Sequence, residues 1–197
     1  RAILRASAYG KLRVLVPMVS TREELLAVRR RMLKLTEQLR GEGHMVSDHV
    51  PLGAMIEVPA AALALESFID LVDFLSIGTN DLVQYLLAAD RNNEALTDLY
   101  TPLHPAVLRL VHSVIRLANK RGKPVAVCGE MAGDPHFAPL LLALGLGEFS
   151  LHPATLLELR HAIRQCDLAR LHAAGPALLR ARDRTAIEAW MREHAPA

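Results

Sequence analysis

The sequence predicts an α/β chain on a parallel sheet, and three features predict it. Five short apolar runs rich in β-branched residues alternate with segments of helical periodicity through short connections. Polar and turn-forming residues gather directly after those runs: Glu57 and Pro59; Thr79, Asn80 and Asp81; Cys128, Glu130 and Asp134; Ser150 and His152. Finally, the composition is 51% hydrophobic but only 4% aromatic, so the core must be aliphatic, as suits helices on buried parallel strands.

Taken in order, LRVLVPMVS (12–20) is a continuous apolar run, the pattern of a strand buried on both faces. In the segment that follows, Leu25, Val28, Met32, Leu35 and Leu39 recur at helical spacing. Ser20 and Glu23 suit a capping box there, and Gly41 suits the helix end. GAMIEVP (53–59) reads as a second strand and AAALALESFIDLV as a helix. DFLSIGTNDL (73–82) reads as a third strand running into a Gly-Thr-Asn-Asp turn. A helix and an irregular excursion lead to HPAVLRLVHSVIRLANKRG (104–122), a long helix with Pro105 in its first turn and Gly122 at its end.

PVAVCGEM carries the fourth strand, and Asp134 and Pro135 open the helix after it. EFSLHP (148–153) is the fifth, and helices finish the chain, with a terminal pair at about 168–194. The whole of 1–197 reads as one domain or part of one larger domain. In a (β/α)₈ barrel the edge after the strands is the catalytic face. Five strands do not close such a barrel, and an open doubly wound sheet fits the count equally well.

The formal charge of +2, with Lys and Arg scattered over helices, argues for a small-molecule or protein partner and against nucleic acid. Cys128 and Cys166 stand in unlike contexts without metal-ligand spacing, a reduced, intracellular pattern and not a disulfide framework. No apolar run approaches the roughly 18 residues of a membrane span. The chain starts RAILRASAYG, without an initiator Met, and is expected to be a piece of something longer.

The residues that can do chemistry lie on the predicted edge. Glu57 and Asp81 fall one βα repeat apart, and neighbouring parallel strands lie roughly 4.8 Å apart. Their carboxylates can therefore share one hard cation such as Mg²⁺, or serve only as helix caps or surface acids. Thr79 and Asn80 offer donors to an anion; the plain alternative is a capped strand-to-helix turn. Arg91, in AADRNNE, can grip a phosphate bidentately or pair on the surface with Glu94. Cys128 is either a small buried core residue or a thiol that exchanges a proton with a carbon acid. His152 reads first as a cap or packing residue.

GAMIEVPAAAL, DFLSIGTNDLVQYLLAADRNNE, LYTPLHPAVLRLV and VAVCGEMAGD, in this order, resemble the phosphoenolpyruvate-utilising enzymes. SIGTNDLVQY with AADRNN, and CGEMAGD, are most similar to Enzyme I of the bacterial sugar phosphotransferase system; pyruvate phosphate dikinase and phosphoenolpyruvate synthase share the ground plan. The resemblance implies the C-terminal part, about strands four to eight, of a phosphoenolpyruvate-binding (β/α)₈ TIM barrel. It matches Glu57 and Asp81 to Mg²⁺ ligands (Mn²⁺ also serving), and Asn80 and Arg91 to groups that hold the substrate phosphate. It matches Cys128 to the donor of a proton to carbon 3.

It further implies a cytoplasmic homodimer that acts on phosphoenolpyruvate and pyruvate. A histidine of a separate N-terminal domain, in a Thr-Ser-His motif, would take the phosphoryl group and pass it to the carrier protein HPr. None of the nine histidines lies in such a motif. The chain alone is therefore expected to be inactive, with a bare strand edge that invites self-association. One departure is FSLHPATLLELR, where the family commonly reads FSMSA; it puts His152 near the site as a local variation. The class alternative is a non-catalytic dimerisation module.

Overall fold

The computed structural model describes residues 1–195 and is organised by one five-stranded sheet. Its strands are β1 Val14–Val16, β2 Leu52–Ile56, β3 Phe74–Gly78, β4 Val125–Cys128 and β5 Glu148–Phe149. They lie side by side in sequence order, every neighbouring pair parallel. A doubly wound sheet reverses its strand order partway across. This one never does, so the doubly wound alternative falls. Because parallel crossovers are right-handed, an order that always advances leaves every crossover on the same face.

The register separates the two faces. Ala54 pairs with Leu75 and Leu75 with Val125; Ile56 pairs with Ile77 and Ile77 with Val127. In-register partners of a parallel sheet share a face, and all six side chains are buried in the main apolar core. The opposite face carries Gly53 and Met55 on β2, Phe74, Ser76 and Gly78 on β3, Ala126 and Cys128 on β4, and Glu148 on β5. Met55, Phe74, Ala126 and Cys128 there are half-buried and Glu148 is exposed. This open face, beside the strand ends, is where the predicted chemistry lies.

The helices are α1 Ala2–Ala6, α2 Arg22–Gly41, α3 Pro59–Leu63, α4 Thr79–Leu87, α5 Pro105–Lys120, α6 Glu130–Gly133, α7 Ala138–Ala143, α8 Leu156–Gln165, α9 Leu168–Arg180 and α10 Arg184–Glu193. Three local expectations are corrected. The capping box of α2 uses Thr21 and Glu24, one residue later than expected. The Glu24 carboxylate accepts from the backbone N–H groups of Ser20 and Thr21 at 2.7 and 2.9 Å, which fixes that register.

The helix expected after β2 stops at Leu63 and continues as two 3₁₀ turns, Leu65–Ser67 and Ile69–Leu71. Leu65 and Phe68 are both essentially fully buried, and a three-residue interval suits 3₁₀ geometry better than an α-turn. The Gly-Thr-Asn-Asp turn is itself helical: Thr79, Asn80 and Asp81 form the first turn of α4.

The expected terminal helices occupy α9 and α10. Gly175 lets α9 lie on α7, since a Cβ there would stand 2.7 Å from the carbonyl oxygen of Ala143. The Trp190 indole N–H donates to Ala174 O at 3.2 Å, and the Arg109 guanidinium donates to Leu179 O and Ala181 O. These contacts fasten the hairpin to itself and to α5.

Candidate functional site

The site assembles where β2, β3 and β4 end. One step beyond the Ile56–Ile77 pair, Glu57 stands beside Gly78, and Gly78 pairs with Cys128. Glu57 is only 4% exposed, rare for a carboxylate, and its Oε1 accepts from the backbone N–H of Met18 at 2.6 Å. Its side chain leans across Gly78. A Cβ at residue 78 would lie 2.8 Å from Glu57 Oε2 and 2.9 Å from its Cβ. Glycine is required here for space, not for a turn.

Gly129 performs the same service next door. Its φ is +96°, and a Cβ there would fall 2.7 Å from both Asn80 Oδ1 and Thr79 Oγ1. Freed of that clash, Thr79 Oγ1 donates to the Cys128 carbonyl at 2.9 Å. Asn80 Oδ1 accepts from the Glu130 N–H at 3.0 Å, and Asn80 Nδ2 donates to Glu130 Oε1 at 3.4 Å. The Tyr100 hydroxyl donates to the Asn80 carbonyl at 3.1 Å. Asn80 is thus held through both ends of its amide and through its backbone.

Cys128 is half-buried at the end of β4. The Ser76 hydroxyl donates to its Sγ at 3.3 Å, and the thiol donates to the Ile77 carbonyl at 3.4 Å. Asp81 is half-buried in the first turn of α4. Beyond α4, Ala88 closes the helix in the left-handed region, and the Arg91 N–H donates to Gln84 Oε1 at 3.1 Å. The exposed Arg91 guanidinium makes no ion pair among the described residues, so the expected surface pair with Glu94 is not formed.

Tyr100 links these groups electrostatically. Burial chiefly, then the Glu130 and Asp81 carboxylates, push its phenol above the ordinary value, while Arg91 pulls it back. A cavity of about 140 Å³ opens between Asn80, Tyr100, Glu130 and Phe137.

Among the described residues no three His, Cys, Asp or Glu side chains gather to hold a metal by themselves. Glu57, a buried carboxylate that makes no ion pair among the described residues, and the half-buried Asp81 are oxygen donors of the type Mg²⁺ takes when substrate supplies further ligands. In donor chemistry the two residues fit that ion.

Two predicted neighbours are spent locally. His152 accepts from the Ala154 N–H and caps a 3₁₀ turn, and Asp134 caps the turn that precedes α7. Ser76 and Tyr100 were not among the candidate residues. Ser76 was legible from strand parity alone, since it alternates with Gly78. Tyr100 lies in the irregular excursion and carried no periodic signal.

Residues 1–168 match the family described as PEP-utilising enzyme, PEP-binding domain, PEP being phosphoenolpyruvate. A phosphoenolpyruvate–protein phosphotransferase of Cupriavidus necator is 50% identical over 183 residues, 93% of this chain and 31% of the relative. One from Staphylococcus aureus is 50% identical over 163 residues, and one from Priestia megaterium 49% over 165. The chain spans less than a third of the length of these relatives.

Among solved structures, a citrate lyase from Burkholderia xenovorans superposes with a TM-score of 0.56 at 21% identity, over 98% of this chain and 66% of the other. Protein CitE of Mycobacterium tuberculosis, in complex with magnesium and acetate, gives 0.52 at 13% identity, over 81% and 63%. Both share the fold alone. A match over most of its length, together with relatives at half identity, makes this chain a member of the PEP-binding domain family of phosphoenolpyruvate-utilising enzymes.

Proposed function

We propose that this chain is the substrate- and Mg²⁺-binding part of a phosphoenolpyruvate–protein phosphotransferase of the Enzyme I type. The single observation that carries the reading is the interlock at the strand ends. Two glycines, 78 and 129, surrender their Cβ space to Glu57 and to Thr79 and Asn80, directly beside a thiol. Packing alone gives no reason to route buried polar side chains through such gaps.

In this reading the five strands are strands four to eight of a (β/α)₈ barrel; the unreversed strand order supports it. Glu57 and Asp81 hold Mg²⁺, or Mn²⁺. Bound there, the ion supplies positive charge against the oxygens of phosphate and enolate. Arg91 grips the phosphate as a fork, and the Asn80 amide, oriented by Glu130, donates its remaining N–H to it. The phosphoryl group leaves for a histidine of another domain and passes on to HPr. The P–O bond breaks and its electron pair stays on oxygen, giving the enolate of pyruvate. Cys128 then delivers a proton to carbon 3.

The relatives bear the phosphotransferase name, so the dikinase or synthase alternative is not favoured. A cytoplasmic homodimer, serving sugar uptake or a nitrogen-related branch, completes the proposal. Among the described residues no helix is long and apolar enough to cross a membrane. Asp81→Asn in the protein as its gene encodes it should abolish phosphoenolpyruvate turnover while leaving the circular dichroism spectrum unchanged. Turnover with unaltered Mg²⁺ dependence in that variant would overturn the assignment.

A further inference from the structure

Ser76 is a buried strand serine with an unusual partner. It lies on the open face of β3, 7% exposed, between Met55 of β2 and Ala126 of β4 in the register. A hydroxyl taken out of water needs a hydrogen bond, and here the acceptor is the Cys128 sulfur at 3.3 Å. Gly78, the next residue on that face, offers the thiol no side chain. From β3, then, only the Ser76 side chain and the Ile77 carbonyl touch this sulfur by hydrogen bonds.

The two contacts differ in what they do during proton transfer. In the resting state the S–H is directed at the Ile77 carbonyl, so it must turn away from that acceptor to reach a substrate carbon. The Ser76 bond runs the other way, from oxygen to sulfur, and needs no proton on the sulfur. It therefore persists while the S–H turns. When Cys128 protonates carbon 3, the S–H electron pair stays on sulfur and the enolate carbon–carbon π pair forms the new C–H bond. The enolate oxygen becomes the ketone oxygen of pyruvate. The thiolate left behind is a better acceptor than the thiol, so the Ser76 bond strengthens as charge develops.

We propose that Ser76 is a positioning residue for the Cys128 thiol, anchoring Sγ at the strand end and supporting the charge it acquires when its proton leaves. This rests on the reading of Cys128 as proton donor, and the test separates the two. Deuterium incorporation at carbon 3 of pyruvate and phosphoenolpyruvate binding by calorimetry are measured for the gene-encoded protein and its variants.

Ser76→Ala should slow incorporation about tenfold, a fraction of what a general acid contributes, with affinity unchanged. Ser76→Thr, which keeps the hydroxyl, should recover most of the rate. In a Cys128→Ala background the Ser76→Ala change should have no further effect. If Ser76→Ala does not fold, Ser76→Gly carries the same test. Parental exchange in the serine variant, or an equal slowing with and without the thiol, would overturn the role of Ser76. Parental exchange in Cys128→Ala alone would instead overturn the role of the thiol.

Discussion

The two ends of the sheet use the same device for opposite purposes. At the amino end, Gly53 leaves space filled by the Phe74 ring, which a Cβ at residue 53 would overlap. The Arg13 guanidinium lies over the ring, 5.3 Å from its centroid. At the carboxyl end, Gly78 and Gly129 leave space that is filled by carboxylate, amide and hydroxyl groups. A missing Cβ serves packing at one end and polar placement at the other. Buried polar groups cost free energy unless they are bonded, and at the carboxyl end Glu57, Thr79 and Asn80 each find such bonds.

The largest effect should come from the group at the centre of the polar end. Cys128→Ala should slow deuterium incorporation at carbon 3 of pyruvate by about 10²–10⁴-fold, the range of a general acid, and alter phosphoenolpyruvate binding far less. Equal exchange in variant and parent would make the thiol packing, and the two ends of the sheet would then differ less than their geometry implies.

The glycines test the contrast directly. Gly78→Ala places a methyl 2.8 Å from Glu57 Oε2, on a side chain whose other oxygen is already tied to Met18. Mg²⁺ affinity should fall about 10–100-fold, as when a supporting group of a metal site is lost. Gly53→Ala meets the Phe74 ring and should cost about 1–3 kcal/mol of stability by overpacking, with metal affinity unchanged. Thermal unfolding and metal titration of the two variants should give opposite patterns. Parallel losses would erase the distinction.

Much of this layout was legible in the sequence, for physical reasons. The strands were visible as short apolar runs such as VLV and VAVC, although the sheet is buried on one face and only half-buried on the other. Glu57, Asn80, Asp81, Arg91 and Cys128 were visible because they follow strands or belong to linked motifs. The strand order was not legible, since alternation alone does not say whether a sheet reverses. Nor were the partners of Gly78 and Gly129: a glycine in a sequence states that space is needed without saying what fills it. The 3₁₀ turns after α3 were hidden because a run such as ALALESFIDLV fits a helical period until packing selects which residues must be buried.

Arg91 tests how far the polar end reaches. It stands on a loop, not on a strand, held through its backbone by Gln84. Arg91→Lys keeps the charge but loses the fork, and phosphoenolpyruvate affinity should drop about tenfold. Affinity within twofold of the parent would confine the functional edge to the strand ends.

The smallest effect is expected at Tyr100, where the polar end meets solvent. Its hydroxyl donates to the Asn80 carbonyl, so Tyr100→Phe should remove about 1 kcal/mol of stability at neutral pH, the net worth of an ordinary hydrogen bond. The pH dependence follows from the raised phenol pKa, caused first by burial and then by Glu130. Below the unfolded-state pKa of about 10 the phenol is protonated in both states and its stabilisation is complete. As pH rises past that value the unfolded chain ionises first, which favours unfolding, and the benefit is lost as pH climbs through the higher folded pKa. The stability advantage of the parent over Tyr100→Phe should therefore be constant through neutral pH and shrink above about pH 10. Denaturant unfolding across that range, with ultraviolet titration of the tyrosinate, measures both. An advantage that grows with pH would mean that the folded state holds the phenolate better than water does, and that Arg91 outweighs burial and the carboxylates at this position.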